Sequence, residues 1–161
     1  MDNDGDMDIL SASEEDDTIA WYENDGNANP SWDAENIVTD ADGANSVFAA
    51  DMDNDGDMDI VSASSNDDTI AWYEYTTGTS TGPPWTAREI DTNADGAAAV
   101  FVADMDNDGD MDIIVAFIED GTIAWYETTA IPEFSNIMMP IVSVLAIVGF
   151  NYRRRKINQD E

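Results

Sequence analysis

The stretch "DMDNDGDMDI" occupies residues 51–60, the same ten letters return at 104–113, and "MDNDGDMDI" fills 1–9. Each full copy sets five aspartates within nine residues. Carboxylates that close repel one another unless a cation sits among them. Counted from Asp51, side-chain oxygens stand at positions 1, 3, 5 and 9, which are Asp51, Asp53, Asp55 and Asp59. Gly56 takes position 6, where a sharp turn requires positive φ. Asp57 at position 7 is expected to offer its backbone carbonyl. Short, hard oxygen donors of this kind suit Ca²⁺, which takes about 6–8 oxygens, whereas Mg²⁺ dehydrates reluctantly and rarely accepts an all-protein cage. The third loop repeats the set with Asp104, Asp106, Asp108, Asp110 and Asp112. The first keeps Asp2, Asp4, Asp6 and Asp8 and lacks position 1. An EF-hand would need a glutamate at position 12 and flanking helices. Position 12 is Ser62 or Val115, and it falls within the strand-like, β-branched runs "IVSAS" and "IIVAF".

The loops belong to a longer repeat. "TIAWYE" occurs at 18–23, 69–74 and 122–127, which puts Trp21, Trp72 and Trp125 at spacings of 51 and 53 residues. "SWDAENIVTDADGANSVFAAD" likewise aligns with "PWTAREIDTNADGAAAVFVAD". The length difference falls in "YTTGTSTGPP" at 75–84, a Gly-, Thr- and Pro-rich stretch expected to be an exposed loop. The second unit is expected to hold strands near 45–50, 58–63, 69–75 and 85–91, with "SNDD" at 65–68 turning between two of them. Apolar residues fall on both faces of these strands, as in sheets stacked face to face. A period near fifty with four strands per unit points to propeller blades. The expected fold is therefore all-β: about three four-stranded blades forming an open, partial β-propeller over 1–127, divided near 1–40, 41–93 and 94–127.

At these residues the chain resembles the FG-GAP/VCBS repeats of integrin α-subunit-like β-propellers. Their blades carry a D-x-D-x-D-G-x-x-D loop after a short apolar strand, here "VFAAD" at 47–51 and "VFVAD" at 100–104. The resemblance implies that the loop aspartates are Ca²⁺ ligands. Family members typically close seven blades. Three blades with open edges imply partner blades elsewhere, and Met1 inside an aspartate loop suggests the carboxyl-terminal part of a longer protein. On separate blades the calcium sites are expected to act independently.

Charge supports this reading. The chain holds 36 acidic and 5 basic residues, for a net charge of -31. Residues 1–152 contain 34 acidic residues against Arg88 alone, a charge of -33, and the last nine residues carry +2. Such a body repels nucleic acid and anionic membranes. There is no Cys and no His. Disulfides, thiolate sites and the usual general base are excluded. The paired carboxylates a glycosidase would need all fall in loops better explained by calcium. The recurring tryptophans are read as core rather than sugar platforms. The chain is not expected to be an enzyme. An accessory role beside a catalytic domain upstream is the alternative to surface display, adhesion or binding of an extracellular protein or glycan.

After a linker at 128–133, residues 134–152 contain no charge and run into "RRRK" at 153–156. Nineteen helical residues span about 28 Å, close to the ~30 Å hydrocarbon core. A carboxyl-terminal transmembrane helix at 134–152 is expected, with 153–161 as a basic cytoplasmic tail and the blades outside. Pro132, Glu133 and Phe134 before the apolar run resemble the PEF-CTERM sorting signal of archaeal surface proteins, which implies a sorting enzyme acting there. A simple single-span anchor is the other reading.

Overall fold

A computed structural model describes residues 1, 4–76, 84–119 and 121–128, together with the backbone of 153–157. The expected membrane helix and the Pro132–Phe134 motif lie outside the described residues. Among those described, no helix is long and apolar enough to cross a membrane.

The strands are β1 (Ile9–Ser13), β2 (Thr18–Asn24), β3 (Trp32–Val38), β4 (Ala44–Ala50), β5 (Asp59–Ser64), β6 (Thr69–Tyr75), β7 (Trp85–Asp91), β8 (Ala97–Ala103), β9 (Asp112–Phe117), β10 (Ile123–Glu127) and β11 (Arg153–Ile157). They form three antiparallel sheets, ordered β1-β2-β3, β4-β5-β6-β7 and β8-β9-β10-β11. This is a set of meandering blades. The second has all four expected strands, each within one residue of its expected start and end.

The second blade shows why its strands read as apolar on both faces. Every residue of β5 is buried. Val61, Ala63, Ile70 and Trp72 pack with Val100, Val102, Ile113 and Val115 of the third blade. The alternate residues Ile60, Ala71 and Tyr73 pack with Ile19 and Trp21 of the first blade. Side chains alternate faces along a strand, so one strand feeds two cores. Trp21 and Trp72 are buried, and Trp21 meets Trp85 edge-on at 6.4 Å between ring centroids.

The blades also meet at corners that repeat. The Ala41 N–H donates to the Asp17 carbonyl at 2.9 Å, and the Ala94 N–H donates to the Asp68 carbonyl at 2.7 Å. Both corners lead into an inner strand through a glycine of positive φ, Gly43 at 72° and Gly96 at 69°. A Cβ there would lie 2.7 Å from Asn66 Cγ or 2.5 Å from Glu119 Cγ. The turn and the close approach both require glycine.

In the third blade the position next to β10 is filled from far along the chain. The backbone of Arg153–Ile157 pairs antiparallel with β10, with Trp125 opposite Arg155 and Glu127 opposite Arg153. The sequence reading places these residues in a tail beyond a membrane helix. In the structure they supply the fourth strand of the third blade.

Trp72 is 1% exposed and sits in the larger core cluster. Trp72→Ala is expected to destabilise the chain by about 3–5 kcal/mol in urea unfolding. Ile118→Ala, at a side chain 70% exposed, should change stability by less than about 0.5 kcal/mol.

Candidate metal centre

Each aspartate loop joins the end of an inner strand to the next strand of its blade: 51–58 between β4 and β5, and 104–111 between β8 and β9. The loop is held by its own carboxylates accepting backbone N–H groups. Asp51 Oδ1 accepts from Asp55 N at 3.1 Å, and Asp51 Oδ2 accepts from Gly56 N at 3.1 Å. Asp53 Oδ1 accepts from Asp55 N at 3.2 Å, and Asp55 Oδ1 accepts from Asp57 N at 2.8 Å. The third loop repeats the pattern. Asp104 Oδ2 accepts from Gly109 N at 3.1 Å, Asp106 Oδ1 from Asp108 N at 3.3 Å, and Asp108 Oδ1 from Asp110 N at 3.0 Å. In the first loop Asp4 Oδ1 accepts from Asp6 N at 2.9 Å. Gly5, Gly56 and Gly109 adopt φ of 97°, 95° and 97°, as position 6 requires.

Carboxylate oxygens of Asp51, Asp53 and Asp55 lie within 4.8 Å of one another, and so do those of Asp104, Asp106 and Asp108. An ion bonded at about 2.3–2.6 Å to each of three oxygens requires them to be no farther apart than about 5 Å. Both trios meet that condition. Among the described residues Asp104 Oδ1 is buried and accepts no hydrogen bond, a polar atom that a cation would satisfy. The donor set is oxygen throughout, which suits a hard ion.

Position 9 is tied to backbone N–H groups on two sides. Asp59 Oδ2 accepts from Met52 N at 3.1 Å and Asp59 Oδ1 from Tyr75 N at 2.8 Å. Asp112 does the same with Met105 N at 3.1 Å and Thr128 N at 2.9 Å. Asp8 binds Asn24 N at 3.0 Å and the Met1 amino group. Asp59 and Asp112 are buried. They tie the start of the loop to the end of the third strand of the blade, and they stand outside the two trios. So do Asp57 and Asp110, whose expected contribution is a backbone carbonyl. Among the described residues Asp4, Asp6 and Asp8 form no trio, and Asp2 lies outside them.

Crowding shows in the titration of these groups. Burial first, then the neighbouring Asp55, Glu74 and Asp51 charges, push the Asp53 carboxyl up to about 6. Burial pushes Asp59 up to about 7, against the N–H groups of Tyr75 and Met52, which favour its charge. Desolvation and the Asp108 charge raise Asp106. The sequence reading missed a feature beside the second loop. Arg88, the one basic residue of the body, pairs with Glu74 and lies 5.1 Å from the Trp72 ring centroid.

A family model described as FG-GAP-like repeat matches residues 1–62 and 51–115. No curated protein and no solved structure matches the chain.

The raised carboxyls set a pH dependence for the metal-free chain. A folded pKa above the unfolded 3.8 contributes stability that is complete below 3.8 and is lost as pH rises through about 6 for Asp53 and about 7 for Asp59. Calcium-free protein should therefore melt at a higher temperature at pH 5 than at pH 8. Calcium would compete with the proton for the Asp53 oxygens, so the rise in Tm on adding calcium should be larger at pH 8. Both are read by scanning calorimetry.

Proposed function

Because the chain belongs to the FG-GAP-like repeat family, whose repeats are typical of extracellular and surface proteins, we propose that it is a calcium-binding β-propeller module displayed at the cell surface. The observation that carries this reading is the pair of matched trios, Asp51–Asp53–Asp55 and Asp104–Asp106–Asp108, each within 4.8 Å. In the first loop, Asp2, Asp4, Asp6 and Asp8 are the corresponding residues. When bound, calcium neutralises the trio and fixes the loop between two strands of its blade. The chain's own residues do the positioning. Asp51 and Asp104 each hold the glycine amide through Oδ2, and Asp51 Oδ1 also accepts the Asp55 N–H. Asp59 and Asp112 fasten the loop to the strand beyond. The role is structural, and the bladed surface serves adhesion or the binding of an extracellular protein or glycan rather than catalysis.

Membrane attachment through 134–152 is a further part of the proposal, with a sorting enzyme acting at Pro132, Glu133 and Phe134 as in archaeal surface proteins. It places constraints on the basic segment. Paired with β10, Arg153–Lys156 lie with the blades. At the foot of a membrane helix they lie across the bilayer. Surface protease access and tail mass in an archaeal host distinguish the arrangements. An anchored tail should be protected and intact, a processed one missing, and alanine at 132–134 should block removal. A reporter that fractionates as soluble cytoplasmic protein would refute attachment.

Calorimetric titration of the full chain tests the calcium reading. Two sites are expected with Kd near 10⁻⁴–10⁻³ M or somewhat tighter, the range on the order of extracellular calcium modules. Asp53→Ala should weaken the 51–59 site. Absence of calcium heat, or equal preference for Mg²⁺ at the same concentration, would overturn the proposal.

A further inference from the structure

The two complete loops sit on different blades, yet they touch. Asn54, at position 4 of the second loop, holds a left-handed φ of 60°. Its Nδ2 donates to the Gly109 carbonyl of the third loop at 3.4 Å. That carbonyl belongs to the peptide whose N–H, on Asp110, donates to Asp108 Oδ1 at 3.0 Å. Gly109 also donates its own N–H to Asp104 Oδ2 at 3.1 Å. Asn54 therefore holds a glycine that is already bonded, on both of its peptide units, to two of the three carboxylates of the third trio. On its own side Asn54 lies between Asp53 and Asp55, and the Asp55 N–H is shared by Asp51 at 3.1 Å and Asp53 at 3.2 Å. The result is a continuous hydrogen-bonded path from one trio to the other.

We propose that Asn54 is a positioning residue that couples the two calcium sites, so that filling one raises the affinity of the other. The inference rests on the calcium reading above. Its physical basis is ordering. Filling the third loop fixes the Gly109 peptide and therefore the acceptor of Asn54. The backbone between Asp53 and Asp55 is then partly ordered before its own ion arrives, and the second binding event loses less conformational freedom. Coupling of this kind is reciprocal. Mutual repulsion of the two ions opposes it, but that repulsion is screened by salt over about 8 Å at physiological ionic strength. It also persists when Asn54 is changed, so a comparison at fixed salt isolates the hydrogen bond.

The test is a cycle of four full-length chains titrated with calcium alone: wild type, Asn54→Gly, Asp106→Asn and the double variant. Glycine accepts the positive φ without strain and removes the donor. Disabling the third site through Asp106→Asn should weaken the 51–59 site roughly two- to tenfold when Asn54 is present, the effect of one exposed hydrogen bond. It should weaken that site less than about twofold when Asn54→Gly is also present. Asn107→Gly, the same change at the same position of the third loop, should leave the cycle unaltered. Hydrogen exchange gives a second readout. In the Asp106→Asn chain, calcium in the 51–59 site should slow exchange of the Asp110 amide, and this slowing should vanish on adding Asn54→Gly. Equal loss of affinity in both backgrounds, with no change in Asp110 exchange, would overturn the coupling and leave the two sites standing. No calcium heat in the wild type would overturn the calcium reading and the coupling with it.

Discussion

Everything in this chain depends on how closely spaced aspartates are kept together. Asp51, Asp53 and Asp55 would separate if charge alone decided their positions. They are held by backbone N–H groups of their own loop, while one carboxylate oxygen of each stays within 4.8 Å of the others. The same loop geometry recurs with Asp104, Asp106 and Asp108. Charge-assisted hydrogen bonds are stronger than neutral ones, and they let an acidic loop adopt its liganding shape before an ion is present. Burial first, then the crowding of neighbouring carboxylates, raises the Asp53 carboxyl, and burial raises Asp59.

The blades are the scaffold for that arrangement. β5 carries side chains into two cores at once, so the loop before it is anchored at a fully buried strand. Asp59 and Asp112 extend the anchoring by accepting N–H groups from both the loop and the far strand. The corners through Asp17–Ala41 and Asp68–Ala94 then set each inner strand against the blade before it. The second and third loops also meet directly, where Asn54 Nδ2 donates to the Gly109 carbonyl at 3.4 Å.

Much of this was legible in the sequence because the repeat is nearly literal. "TIAWYE" and the aspartate loops fix the strand positions of the second blade to within a residue, since each apolar run is bounded by turn residues on both sides. Position 6 was legible because only glycine takes positive φ there without strain. Other features were hidden. Position 9 looks like any other loop aspartate, and only three-dimensional proximity to Met52 and Tyr75 assigns Asp59 its task of joining loop to strand. The "ADG" corners recur at 41–43 and 94–96, a signal that was present, but their partners Asp17 and Asp68 lie 24–26 residues earlier. The pairing of Arg153–Ile157 with β10 could not be read from periodicity, because the segment stands outside the spacing of the repeat and its basic composition resembles a membrane boundary. Asn54 reads as an ordinary turn residue until the next blade is placed beside it.

Whether the two carboxylate trios hold a divalent cation is tested most directly by a crystal structure of the full chain grown with millimolar calcium, with anomalous differences collected to locate the ions. One peak is expected among Asp51, Asp53 and Asp55 and a second among Asp104, Asp106 and Asp108, each about 2.3–2.6 Å from its oxygens. Loops with the trios intact and no peak at either position would contradict the calcium reading.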